Sequence, residues 1–174
     1  LYLFNRTSYM WNDQQLDEVS KIAVAAGQEI LAIYDQDQDL EITLKDDKSP
    51  LTEADRRAHR LIVERLQRLD PDIPILSEES DAIDFETRGS WRRYWLVDPL
   101  DGTKEFIKGA PKAEGDPPPA NSGDFTVNIA LIEDGAPVLG VVHVPVHGVT
   151  YFAASGEAWK QSGDDAPVRI STRP

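Results

Sequence analysis

Two aspartates three residues apart, Asp98 and Asp101, end the apolar run Tyr94-Trp95-Leu96-Val97, and Gly102 and Thr103 follow at once. The run reads as a strand, so a rigid sheet would carry both carboxylates. Carboxylate oxygens are the ligands that hard divalent cations prefer. A Gly-Thr turn that opens a helix can offer backbone N–H groups to an anion, because glycine lets the backbone come close and the helix start is electropositive. Cations and an anion hole side by side point to phosphate ester chemistry. Each pair alone has a plainer reading, since Asp-Pro and Asp-Gly are common turn dipeptides. Only the set, in this order, carries the chemical one.

Two further segments extend the set. Ser77-Glu78-Glu79-Ser80 follows a second strand-like run, Ile73-Pro74-Ile75-Leu76, and Lys48-Ser49-Pro50-Leu51-Thr52-Glu53-Ala54-Asp55 opens a helix. These pieces, in this order, resemble the inositol monophosphatase superfamily of magnesium-dependent, lithium-sensitive phosphatases, over residues 11–170. Within it, residues 98–106 and the later Asp124-Phe125-Thr126-Val127-Asn128-Ile129-Ala130-Leu131-Ile132 look most like the bacterial 3'(2'),5'-bisphosphate nucleotidases of sulfur assimilation.

The resemblance implies a role for each residue. Glu78, Asp98, Asp101 and the backbone carbonyl of Leu100 would hold magnesium (Mg2+), with Asp98 bridging two cations. Asp55 and Thr103 would be catalytic, hydrogen-bonded to each other, with the threonine hydroxyl orienting the attacking water. Gly102 and Thr103 would receive the substrate phosphate, beside Glu78, Leu100 and Asp101. Asp55 has a structural explanation too, because Thr52-Glu53-Ala54-Asp55 fits a capping box. The two roles are compatible, since a first-turn carboxylate can cap and also face a site.

The implied substrate is a small phosphorylated nucleotide. Adenosine 3',5'-bisphosphate would give AMP and phosphate, and 3'-phosphoadenylyl sulfate is a related substrate. One alternative is an inositol monophosphatase, but that branch usually has asparagine before the phenylalanine, where this chain has Glu105. Another is a metal-binding domain without catalysis. The superfamily builds its site between two domains, and the second adds an aspartate in a Trp-Asp-x-Ala motif. Nothing after Ala158 matches that motif. The expectation is therefore an N-terminal domain that a C-terminal domain or a second chain completes. Self-association stays open.

The elements that must position these residues are legible. Residues 11–34 read as a helix, with Leu16, Val19, Ala23, Ala26, Ile30 and Ile33 on one apolar stripe. Residues 52–69 read as a second, with Thr52 as N-cap, Ala58, Ile62, Leu66 and Leu69 inward, and Pro71 as the stop. Strands are expected at 41–44, 73–76, 94–97, 125–133, 138–145, 149–154 and 158–160, with hairpin turns at 134–137 and 155–157. Residues 103–108 form the short helix after the Gly-Thr turn. Two helices followed by a run of strands predict an α+β fold. It would be a layered sandwich of two N-terminal helices on a large, mostly antiparallel sheet, the first domain of the superfamily's αβαβα arrangement. Residues 109–123 hold four of the twelve prolines and almost nothing to bury, so they read as an insertion loop. A flap beside the site is its second reading. Residues 1–10 are an extension without an assigned role, and residues 11–174 form the domain.

Composition sets the bounds. A chain of 174 residues with 40% hydrophobic content can bury one core. A net charge of −13 argues against binding nucleic acid polymers, but not against a small phosphorylated ligand reached through bound cations. No run is long enough to span a bilayer, and no cysteine is present for disulfides or thiolate metal sites. A cytoplasmic protein is the simplest expectation, with attachment to the inner membrane face as a variant. Asp35, Asp37 and Asp39 mimic the start of an EF-hand loop, but Leu40 stands where glycine is required. His143 and His147 are separated by Pro145, which rules out a helical zinc pair. His59 is expected on the surface of the second helix.

Overall fold

A helix must bury its apolar stripe, and a seven-stranded sheet supplies the surface. The computed structural model describes residues 13–34, 42–44, 50–109 and 124–171. Helix α1 (Asp13–Tyr34) is followed by strands β1 (Ile42–Leu44) and β2 (Pro50–Thr52), helix α2 (Glu53–Leu69) and strand β3 (Ile75–Ser77). Then come the short helix α3 (Phe85–Gly89), strand β4 (Arg93–Asp101) and helix α4 (Thr103–Gly109). Strands β5 (Thr126–Glu133) and β6 (Ala136–Val144), a 3-10 turn (Pro145–His147), and strands β7 (Val149–Ala154), β8 (Glu157–Ser162) and β9 (Val168–Ile170) complete the order.

The sheet runs β3-β4-β5-β6-β7-β8-β9. Every pairing is antiparallel except β3 with β4. The β5–β6 and β7–β8 hairpins turn on Asp134-Gly135 and Ser155-Gly156, all four at positive φ, the conformation that matches the twist of tight hairpins. Outside this sheet, β1 and β2 form an antiparallel pair that leads directly into α2.

One sheet face carries the core. Trp95 and Val97 of β4, Val127, Ile129 and Leu131 of β5, and Leu139 and Val141 of β6 are buried under the two long helices. Helix α1 lies on β5, β6 and β7, while α2 lies on β4 and against α1. The expected stripe of α1 is buried, with Ile22 added to it, and Ala58, Ile62 and Leu66 do the same for α2. Gly27 sits mid-helix where glycine usually destabilises. A side chain there would bring its Cβ to 2.6 Å from His143 Cδ2, so the glycine lets α1 approach the sheet closely. On the opposite face, Leu96, Val142 and Tyr151 are exposed.

Several differences from the sequence reading have physical causes. Strand β4 does not stop at Val97 but continues to Asp101 past a register shift. Pro99 cannot donate to the ladder, and the strand bulges around it rather than ending. β2, α3 and β9 were not anticipated; α3 buries no residue and β9 is exposed throughout, so neither has an apolar pattern to read. His59 is half-buried rather than on the surface. The ten-residue extension, the 35–39 aspartates, Lys48 and Ser49, and residues 110–123 of the insertion lie outside the described residues. Among the described residues, no helix is long and apolar enough to cross a membrane.

Candidate active site

Parallel pairing sets the first contact. Ser77 is in register with Val97, and the Glu78 N–H donates to the Val97 carbonyl at 3.0 Å. The next residues along the two strands, Glu78 and Asp98, are therefore neighbours, and their carboxyl groups lie within hydrogen-bonding reach. Asp98 is half-buried, and its Oδ1 is enclosed with no hydrogen-bond partner. Burial, followed by the charges of Glu78 and Asp101, pushes the Asp98 carboxyl from its ordinary 3.8 up to about 7.

The bulge sets the second contact. On β5, Asn128 faces Asp98 and Thr126 faces Asp101, so β4 spends one extra residue between them. Pro99 and Leu100 are buried within that bulge. Asp101 emerges exposed and accepts a hydrogen bond of 3.4 Å from Asn128 Nδ2. Among the described residues, no three carboxylate or imidazole groups form a closed cation cage. The expected three-way convergence thus reduces to a direct Glu78–Asp98 pair, with Asp101 acting on Asp98 through its charge.

A third contact ties α2 to this strand end. Asp55 is fully buried in the first turn of α2. Its Oδ2 accepts from the Thr52 backbone N–H at 2.8 Å and the Thr52 hydroxyl at 2.5 Å, an arrangement that belongs to a capping box. Its Oδ1 accepts from the Thr103 hydroxyl at 3.2 Å, and the same hydroxyl lies 3.2 Å from the Leu100 carbonyl. Asp55 thus caps its helix and also holds the start of α4.

Gly102 joins β4 to α4 at φ +95°, where side chains are strained, and a Cβ there would meet the Asp124 carbonyl at 3.1 Å. The Phe106 N–H closes the first turn of α4 on the Gly102 carbonyl at 2.9 Å. Phe106 and Phe125 are buried edge to face, with ring centroids 5.3 Å apart, and Tyr34 of α1 lies 5.4 Å from each. This cluster locks the turn from below. Gly102→Ala should therefore cost about 1–3 kcal/mol of stability through backbone strain and close contact. Thermal unfolding of the variant checks this, and an unchanged Tm would mean the turn relaxes freely.

Three supporting residues escaped the sequence reading. Asn128 holds Asp101, Ser77 is buried beneath Glu78, and the His59 Nδ1 lies 2.9 Å from the Ser77 Oγ. The one available signal was spacing, since His59 stands four residues after Asp55 and so shares its helical face.

The sequence profile of the inositol monophosphatase family matches residues 12–174. The chain is 53% identical over 146 residues to the 3'(2'),5'-bisphosphate nucleotidase CysQ of Salmonella typhimurium, covering 84% of this chain and 54% of the relative. Among solved structures, CysQ from Bacteroides thetaiotaomicron is 36% identical with a TM-score of 0.69, covering 95% of this chain and 61% of that one. The extragenic suppressor protein suhB from Bartonella henselae is 28% identical with a TM-score of 0.71, covering 92% and 55%. The chain spans about half the length of the curated relatives it matches.

Proposed function

The chain belongs to the inositol monophosphatase family, and from that premise we propose that it is the N-terminal part of a magnesium-dependent 3'(2'),5'-bisphosphate nucleotidase. Its substrate is adenosine 3',5'-bisphosphate, and its products are AMP and phosphate. 3'-Phosphoadenylyl sulfate is accepted by the same chemistry. Because the relatives are about twice as long, this activity is assigned to an assembly in which a second domain, in the same chain or another, adds the remaining metal ligand.

The observation that carries the reading is the orphaned Asp98 Oδ1. A buried carboxylate oxygen with no donor, pressed by two neighbouring carboxylates, is costly as it stands. A bound cation inverts that balance. Glu78, Asp98, Asp101 and the Leu100 carbonyl are all-oxygen donors of the kind magnesium takes, so the residues fit the ion. When bound, magnesium supplies Lewis-acid stabilisation and a more acidic water.

The remaining work falls to the chain's own residues. Asp55 takes the Thr103 hydroxyl proton as a hydrogen bond, which leaves the threonine oxygen lone pairs to accept from a water and orient it. Asp55 is fixed by its own cap, so Thr103 is held without searching for a rotamer. Gly102 keeps the turn free of a side chain, and the opening N–H groups of α4 face the substrate phosphate.

Phosphate release by the full-length form tests the reading. Adenosine 3',5'-bisphosphate should exceed inositol 1-phosphate in kcat/KM by roughly tenfold or more. Glu105, in place of the asparagine usual in inositol monophosphatases, and the 124–132 segment motivate the direction. Preference for the inositol ester would refute the substrate assignment while leaving the metal chemistry intact.

A further inference from the structure

Glu78 is exposed, and the turn that carries it sets where it stands beside Asp98. That turn opens at the end of β3. The Ser80 N–H bonds the Ser77 carbonyl at 3.1 Å, and the Glu79 N–H lies 3.4 Å from the Ser77 Oγ. The Ser77 hydroxyl is therefore one side-chain anchor of the turn. It is 5% exposed, and the His59 Nδ1 meets it at 2.9 Å across 18 residues of sequence. Burial, then the charge of Arg60, lowers the His59 pKa, so the ring is neutral at neutral pH. A neutral Nδ1 can accept the Ser77 O–H, which leaves the serine lone pairs for the Glu79 N–H.

Asp55 and His59 are one helical turn apart on α2. Asp55 reaches the start of α4 through Thr103, and His59 reaches the end of β3 through Ser77. We propose that His59 is a positioning residue which, through Ser77, fixes the turn bearing Glu78, so that a single face of α2 braces both ends of the metal-binding edge. This rests on the proposed metal role of Glu78. It assigns the second brace to a residue that touches neither metal nor substrate.

The test compares the parent chain with His59→Phe, His59→Asn and Ser77→Ala. Phenylalanine keeps the ring and removes the polar atom, whereas the asparagine amide stands near the former Nδ1. Two quantities are read: amide hydrogen exchange at residues 78–80 without metal, and magnesium affinity by calorimetry. His59→Phe and Ser77→Ala should speed exchange at 78–80 and weaken magnesium about tenfold, as loss of an outer-sphere partner does. His59→Asn should restore both to near the parent values. Unchanged exchange in Ser77→Ala, or failure of asparagine to rescue, would overturn the brace. A parent that binds no magnesium even when joined to its second domain, with exchange still altered at 78–80, would refute the metal role of Glu78 and leave only a structural link.

Discussion

Asp98→Asn should make the metal-free chain more stable and at the same time nearly abolish its affinity for magnesium. The carboxyl titrates near 7 in the folded chain against an ordinary 3.8, because it is buried and faces Glu78 and Asp101. Between those values the folded chain holds a proton that the unfolded chain releases, so this group's contribution to stability falls as pH rises through the window. Above it, Asp98 is ionised in both states and the penalty is complete. Asparagine removes the charge and can donate to Glu78. The gain in Tm should therefore be largest near pH 8, roughly 2–4 °C for each kcal/mol recovered, and should disappear near pH 4. Magnesium affinity should drop by more than the ~10–100-fold that loss of an outer-sphere partner costs, because a neutral amide is a poor ligand for a hard cation. In the parent, magnesium binding near neutrality should release a proton, visible as a buffer-dependent heat. A variant less stable than the parent at pH 8 would show that Asp98 is not under the electrostatic load described.

Asp55→Asn should damage the fold and the chemistry together. Both Asp55 oxygens are buried acceptors, two donors converging on one and the Thr103 hydroxyl on the other. Asparagine replaces the charge-assisted bonds from Thr52 with weaker neutral ones, and its NH2 must face the Thr103 hydroxyl, which then accepts where it had donated. The expected cost is about 2–4 kcal/mol, a Tm lower by roughly 5–15 °C. In the proposed assembly with a second domain, turnover should fall by about 10²–10⁴, because Thr103 loses its orientation. Thr103→Ala separates the two effects. It should lose similar turnover, keep the Thr52–Asp55 cap, cost only about 1 kcal/mol and leave magnesium affinity nearly intact. If Asp55→Asn and Thr103→Ala were equally unstable, the cap would not be the source of the difference.

What was legible in the sequence follows from where the information lies. The stripe of α1, the cap of α2 and the Asp134-Gly135 turn are local patterns, and each is read over a few residues. The layered α+β architecture follows from them, since stripes of that width need a sheet. The continuation of β4 past Pro99 was not legible, because only pairing with β5 keeps a proline-containing segment in the sheet. The links around the candidate site were hidden for the same reason. His59 meets Ser77 across 18 residues, and Asn128 meets Asp101 across 27. No periodicity records such contacts. Asp101 shows a further limit, because its spacing from Asp98 reveals nothing of the bulge that turns it outward.

Manganese broadening of the amide NMR spectrum tests the central claim most directly, because it detects weak divalent binding and reports where it occurs. The isotope-labelled chain is titrated with substoichiometric Mn2+ at a pH where Asp98 is ionised. The carboxylate edge described above predicts early loss of signals from Glu78, Asp98, Leu100, Asp101, Gly102 and Thr103, reversed by excess magnesium and absent in Asp98→Asn. Broadening centred elsewhere on this acidic chain, or spread evenly over it, would contradict the assignment of the β3 and β4 ends as the metal site.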